Sequence, residues 1–329
     1  MDETTEARRS RSAADVRPRA RRGRRSSLAL GAMAVAGAAA AVVVAPVLNE
    51  MQGTRPAQPP SPRRLLIAAA ERAEREPARS GAFWHQRFRT GRQYRVRGAD
   101  GEWYVIERRG VGESWTPVRS PEDGTVLSSR DFGAGPVTSD DRAAWQRAGS
   151  PTEWPAGDGT RLRARPDRRK PVVRRRERGT FMCAGKPMTL AELQLLPTAP
   201  QALRTTILQG NAGRRPRGDG SSEAETVLLE VSALLRTPAP PRTRGAAYRL
   251  LASLPGLRYA EDVHDPLGRP GLAVDVPGGR GGVTRRLIVD PATGQLLTWM
   301  DHTDGDGRRL VSYTAYESVG WSEGRPPRG

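Results

Sequence analysis

From Leu28 to Leu48 the chain runs twenty-one residues without a charge, just after nine arginines in its first 25 positions. This stretch holds nine Ala, five Val, three Leu, two Gly, one Met and one Pro. At about 1.5 Å of rise per residue it reaches roughly 31 Å, enough to cross a hydrocarbon core about 30 Å thick. The pattern predicts one transmembrane helix over residues 28–48. Arg8 to Arg25 should stay cytoplasmic under the positive-inside rule, because no basic residue stands between Leu48 and Arg55. A cleaved signal peptide is the alternative, since basic flank, apolar run and small residues come in the order such peptides use. Arg24-Arg25 also suits a twin-arginine exporter. The length of the run, with no Ala-x-Ala ending at the polar boundary, favours an uncleaved anchor. Each alternative exports the rest of the chain, and the uncleaved anchor gives a single-pass protein of the cell membrane with a cytoplasmic amino terminus.

The expected organisation has five parts. Residues 1–27 form an arginine-rich, disordered cytoplasmic tail, and 28–48 the span. Residues 49–62 make a stalk whose TRPAQPPSP is semi-extended by proline. An extracytoplasmic domain covers 63–322, and 323–329 is a tail. A single cysteine, Cys183, rules out an intramolecular disulfide, so the exported domain must rely on its core. The net charge of +18 normally suggests an anionic partner. Two lysines against fifty-two arginines, however, point to coding bias as a second source of that charge.

Within the domain, Ser61-Pro62 reads as an N-cap and first-turn proline for a helix that Pro77 stops, with Leu65, Leu66, Ala69 and Ala73 on one face. From Ala82 the apolar period changes to two. AFWHQRF, RQYRVR, EWYVIER, ESWTPV and TVLSSR predict four or five short antiparallel strands, with Asp100-Gly101 supplying a tight primed turn. A helix follows in TSDDRAAWQRAGSP, with Ser139 as its cap and Gly149 at its end. Three capping boxes are then expected, at Thr189/Glu192, Thr198/Gln201 and Ser222/Glu225, and a fourth helix runs from about Thr243 to Leu254. Five strand patterns close the chain: GLRYAEDV, PGLAVDV, VTRRLIVD, QLLTWMD and RLVSYTAYE. Strands, helices, then strands indicate an α+β domain whose two antiparallel segments join into one sheet and pack a face on the helices.

The blocks DDRAAWQRAGSP, LAELQLLPTAPQALRTTIL, LLRTPAPPRTRGAAYRLLASLPGLRYAEDVHDPLGRPGLAVDV and LIVDPATGQLL resemble an uncharacterised actinobacterial family of single-span membrane proteins. Genes of that family often sit beside one for an extracytoplasmic-function sigma factor. More distantly, the element order is similar to the curved half-barrels of lipoprotein carriers and of periplasmic stress-sensor partners of anti-sigma factors. The resemblance implies a place in envelope-stress signalling and supplies no functional residues. A direct sigma trap conflicts with the residues themselves, since a 27-residue arginine-rich tail without His or Cys holds neither a core nor a zinc site. The expectation is a non-enzymatic sensing or binding protein, an accessory regulator acting outside. A lipid or lipoprotein carrier is the main rival, and an unrecognised hydrolase the third.

No catalytic, cofactor or metal residue is expected. There is no G-x-S-x-G, and His85, His264 and His302 lie in dissimilar settings. Asp262 and Asp265 flank His264 and would be placed to orient its ring, although a polar turn reads better there. DHTDGDG at Asp301 to Gly307 fails the calcium-loop spacing and reads as a hairpin turn. GGRGG at Gly278 to Gly282 lacks the lysine and helix start of a phosphate loop and reads as a hairpin connection. Glu122-Asp123 and Glu261-Asp262 are adjacent pairs, which point to opposite faces on a strand. The basic stretch Arg161 to Gly179 carries ten basic residues against Asp167 and Glu177. Within it Arg168, Arg169, Lys170, Arg174, Arg175 and Arg176 are candidate contacts to anionic lipid, wall polymer or an acidic protein face. The bland reading is a solvated strand pair. Nucleic acid is not expected, because this segment is outside. Trp84, Trp103, Trp115, Trp145 and Trp154 are expected in the core or on the sheet, or, in a curled sheet, lining a hollow for an acyl chain.

Overall fold

The computed structural model describes residues 61–327 except 78, 157–158, 160, 167–170, 177, 213–221, 279–281 and 306–307. The expected tail and span, and the stalk up to residue 60, lie outside the described residues. No helix among the described residues is long and apolar enough to cross a membrane.

A nine-stranded antiparallel sheet organises the domain, and the first and last long strands join its two halves. β1 (Phe83–Arg97) pairs with β2 (Trp103–Pro117) on one side and with β13 (Arg308–Ser322) on the other. Beyond β2 come β3 (Val126–Pro136) and the short edge strand β6 (Val172–Arg175). Beyond β13 come β12 (Gln295–Gly305), β11 (Thr284–Asp290), β10 (Pro270–Val276) and the other edge, β9 (Arg258–His264). The expected joining of the two strand segments is therefore observed. The first segment differs in detail, because its five short patterns merge into three long strands. The apparent breaks at Gly91 and Gly112 are seats for rings. A Cβ on Gly91 would overlap the directly opposed Tyr313 ring, and one on Gly112 the opposed Phe88 ring.

The β1–β2 turn also differs from expectation. Gly98 N–H donates to Glu102 C=O at 2.8 Å, closing a three-residue loop in which Gly101 alone has a positive φ, of 86°. That is the type I turn with a bulge rather than the two-residue primed turn.

Six helices are described. α1 (Pro62–Arg75) starts on proline after Ser61, whose side chain makes no cap bond, and buries Leu66, Ala69, Ala70 and Ala73. α2 (Ser139–Arg147) is capped by Thr138 and not Ser139, in a reciprocal box with Asp141. Asp141 Oδ1 also accepts from the Val105 N–H at 2.8 Å, which ties the helix start to β2. α3 (Leu190–Gln194) has its expected Thr189/Glu192 box. α4 (Pro200–Asn211) does not use Thr198, because Pro200 takes the first helical position and moves the N-cap to Ala199. α5 (Glu223–Leu235) is capped by Ser222, and α6 (Pro241–Ser253) packs against α1. Gly245 admits the Glu74 side chain between those two helices, where Glu74 pairs with Arg249. The hydrogen bond from Arg249 holds the Glu74 carboxyl below the usual range.

Alternation along the strands assigns two faces. The inner face carries Trp84, Val274, Leu287 and Tyr316, which form one core with the helices. A small hairpin, β7 (Phe181–Cys183) with β8 (Lys186–Met188), adds Phe181, Cys183 and Met188 to that core. Further along the long strands, Val96, Tyr104, Ile106 and Ala134 form a second core with Trp154 and Leu162. Those two residues belong to the small pair β4 (Glu153–Pro155) and β5 (Arg161–Arg163). Burial of so much aliphatic surface, at about 25 cal/mol per Å², is what the chain has in place of disulfides.

Candidate functional site

The outer face, away from the helices, holds a hollow of about 820 Å³. Its floor starts from residues that alternation turns outward: Arg89 and Gln93 on β1, Glu107 and Arg109 on β2, and Val311 and Tyr313 on β13. Glu107 is the hub. It accepts from Gln93 Nε2 at 3.2 Å, stands 3.4 Å from the Tyr313 hydroxyl and lies 3.5 Å from Arg109 Nε. The Tyr313 hydroxyl is pushed up to about 12, first by burial and then by the neighbouring Glu107 charge, so it stays a neutral donor at ordinary pH. Arg89, which also lines the hollow, meets Glu317 through its Nε at 2.5 Å.

Two irregularities supply the apolar rim. Between β2 and β3 the register slips, so that Gly110 opposes Asp131 while Arg109 opposes Gly133. Phe132 is the extra residue, and Gly133, with φ of 82°, makes the kink that leaves the Phe132 ring 46% exposed at the hollow. On the far side the β9–β10 turn folds over the sheet and contributes Pro266 and Leu267. Asp265 holds that turn in place. Its side chain is 0% exposed, accepting from the Leu267 and Arg269 N–H groups at 2.9 Å each, from Thr298 Oγ1 at 3.1 Å and from Arg269 Nη2 at 2.6 Å. Arg269 in turn donates to the Tyr316 and Leu297 carbonyls at 2.7 and 3.1 Å.

A hollow of this size, with a few convergent polar groups and an apolar lip, has the make-up of a small-molecule site, for which about 300–1,000 Å³ is usual. Glu107 is engaged by Gln93, Arg109 and Tyr313, and together these groups offer hydrogen bonds and charge to the hollow.

The sequence-predicted residues lie elsewhere. Arg168, Arg169 and Lys170 fall outside the described residues. Arg174 and Arg175 are exposed on edge strand β6, with Arg176 exposed just beyond it. The Arg175 guanidinium donates to the Asp123 carbonyl, and the Arg176 N–H to the Thr125 carbonyl at 2.9 Å. Charged side chains on a short edge strand are a common guard against edge-to-edge pairing. The basic stretch is not one strand pair: Arg161 and Arg163 belong to β5 and face Glu153 at 3.4 and 3.2 Å, whereas β6 pairs with β3.

His85 stands in β1, 3.4 Å from Glu113 and 4.9 Å from the Trp115 ring centre. His264 ends β9, exposed, and Asp265 is engaged with Arg269 instead of orienting it. His302 is buried within β12, so Asp301 to Thr303 belong to the strand and not to the hairpin turn. Glu122 and Asp123 sit in a 3-10 turn, Pro121–Asp123, and not on a strand. Glu261-Asp262 falls in β9, where Asp262 takes a positive φ of 53° at an irregularity in its pairing with β10. The Cys183 thiol is buried and pushed up to about 12, mainly by that burial and then by the Glu230 charge, which leaves it unreactive. Among the described residues no group of three metal-ligating side chains forms.

The tryptophans do not gather round one hollow. Trp84 Nε1 donates to the Arg236 carbonyl at 2.7 Å under the helices, and Trp154 Nε1 to the Tyr104 hydroxyl at 2.8 Å in the second core. Trp145 donates to the Pro151 carbonyl at 2.9 Å, Trp115 is buried on the outer face, and Trp103 is 47% exposed beneath Arg95.

A scan against protein-family models and a search of the curated proteins both find no match to this chain. Glu107, Gln93, Tyr313 and Phe132 were not signalled in the sequence. The one local cue is Asp-Phe-Gly, whose glycine suits a bulge.

Proposed function

We propose that this chain is a membrane-anchored extracytoplasmic binding or sensing protein, not an enzyme, and that the outer-face hollow takes its ligand. The hollow of about 820 Å³ around Glu107 carries this reading. The charge-free run 28–48 supports the anchor, and the resemblance to proteins encoded beside sigma factors supports a regulatory output in envelope-stress signalling.

The carrier reading is second. A half-barrel wrapped round the helices would place an acyl chain in the seam between sheet and helices. That seam has a cavity of about 280 Å³, with Trp84, Leu296, Val319 and Trp321 on its wall. This is below the size usual for ligand sites.

Two filled variants separate the readings. Gly135 faces the hollow opposite Glu107, and a Cβ there would meet nothing within 4 Å, so Gly135→Trp fills the hollow without touching the core. Val319→Trp fills the seam. Native mass spectrometry of the full chain released from detergent should show a bound mass in wild type and Val319→Trp that is lost from Gly135→Trp. A mass retained by Gly135→Trp and lost from Val319→Trp would favour the carrier.

A further inference from the structure

The helices do not cover the inner face evenly. β1 passes through both cores, Trp84 in the first and Val96 in the second, and its middle is left to Thr90 and Arg92. The bare strip continues over Arg108 and Gly110 on β2 and over Ser312 and Thr314 on β13. Two cavities, of about 420 and 490 Å³, share Arg92, Tyr94 and Ser312 and so form one trough. Its lining runs from Asp131 on β3 to Arg285 on β11, six neighbouring strands. Five strand spacings make it about 24 Å long.

The charges in this trough are out of balance. Arg92 and Arg108 are direct cross-strand partners on the same face, and like charges so placed repel. Arg108 is matched by Asp131, with its Nε at 2.8 Å. Arg92 lies over the Tyr94 ring, 5.8 Å from its centre, with no carboxylate at ion-pair distance among the described residues. Asp301 is close enough to feel the Arg92 charge but is committed to Arg285 at 3.5 Å, and the buried Glu225 also pairs with Arg285. Asp131 thus pairs with Arg108 alone, and Arg92 has only a share of the Asp301 charge, beside a floor of threonine and serine hydroxyls with the Phe88 ring as a wall.

We infer that the trough binds an oxyanion, phosphate or carboxylate, borne on an extended polyhydroxylated chain of the sugar or polyol kind. Arg92 and Arg108 fork the anion through charge-assisted hydrogen bonds. Thr90, Ser312 and Thr314 exchange hydrogen bonds with ligand hydroxyls, and the trough's length suits several linked units. Alternation turns Arg92, Arg108 and Ser312 to the face opposite the outer hollow, and Thr90, Arg109, Gly110 and Tyr313 border both cavities.

The test uses the full chain in detergent, titrated calorimetrically with glucose 1-phosphate, inorganic phosphate and glucose. Glucose 1-phosphate should bind, inorganic phosphate at least tenfold more weakly, and glucose not measurably. Arg92→Ala should weaken glucose 1-phosphate at least tenfold and yet raise the melting temperature of the ligand-free protein, because it removes the like-charge pair. Gly135→Trp should leave this binding unchanged. The proposal is overturned if Arg92→Ala melts lower and binds as wild type does, or if no sugar phosphate binds. Equal binding of phosphate and sugar phosphate would overturn the polyhydroxylated part and leave a bare anion site.

Discussion

Asp265→Ala should lose about 3–5 kcal/mol of stability, the usual cost of removing one partner from a buried ion pair. Asp265 is wholly buried, and Arg269 keeps only a third of its side chain exposed. Without the carboxylate, the Leu267 and Arg269 N–H groups and the Thr298 hydroxyl also lose their acceptor. Domains of this kind have about 5–15 kcal/mol in all, so the loss is a large share of the total. It should also free the β9–β10 turn and so remove Pro266 and Leu267 from the hollow's rim. Urea unfolding of the full chain in detergent checks the first effect. A loss under about 1 kcal/mol, the range of an exposed pair, would show that the turn is held by something else.

The second large effect is alkaline. Tyr248 is fully buried, its hydroxyl donating to the Gly294 carbonyl at 2.9 Å, and burial raises its ionisation well above the ordinary value of 10. Burial likewise raises Tyr316, and Tyr313 to about 12. The folded chain therefore keeps protons that the unfolded chain releases above pH 10, and stability falls as pH rises beyond that point. Each pH unit above 10 over which the folded chain keeps the Tyr248 proton should cost about 1.4 kcal/mol. The partly exposed Tyr313 contributes less. Self-repulsion is a poor rival explanation, because the net charge shrinks toward the sequence pI of about 11.3. Tyr248→Phe should be about 1 kcal/mol less stable at neutral pH, where it strands the Gly294 carbonyl, yet more stable than wild type at pH 12. The two curves of stability against pH should cross. Parallel curves would assign the alkaline loss to other groups.

The fold was legible where one residue's role is set by its near neighbours. Alternation located β9 to β13, and the apolar spacing of Leu228, Val231 and Leu235 located α5, because burial of one face dictates those periods. It failed where a distant residue decides. Gly91 and Gly112 look like breaks until Tyr313 and Phe88 are seen lying over them. Thr198 looks like a cap until Pro200 claims the first turn. The site was illegible for the same reason: Glu107 meets Tyr313 only because the first and last long strands pair, some two hundred residues apart in sequence. The basic stretch drew attention through composition, and its described part is divided between an edge strand and a small hairpin.

Hydrogen exchange on the full chain in detergent, with and without a total extract of cell-envelope small molecules, tests the binding account most directly. Slowed exchange at Gly133 to Gly135 and at Val311 to Tyr313, the two sides of the outer hollow, is the expected result. Protection confined to Trp84, Leu296 and Trp321 in the seam, or none anywhere in the domain, would contradict it.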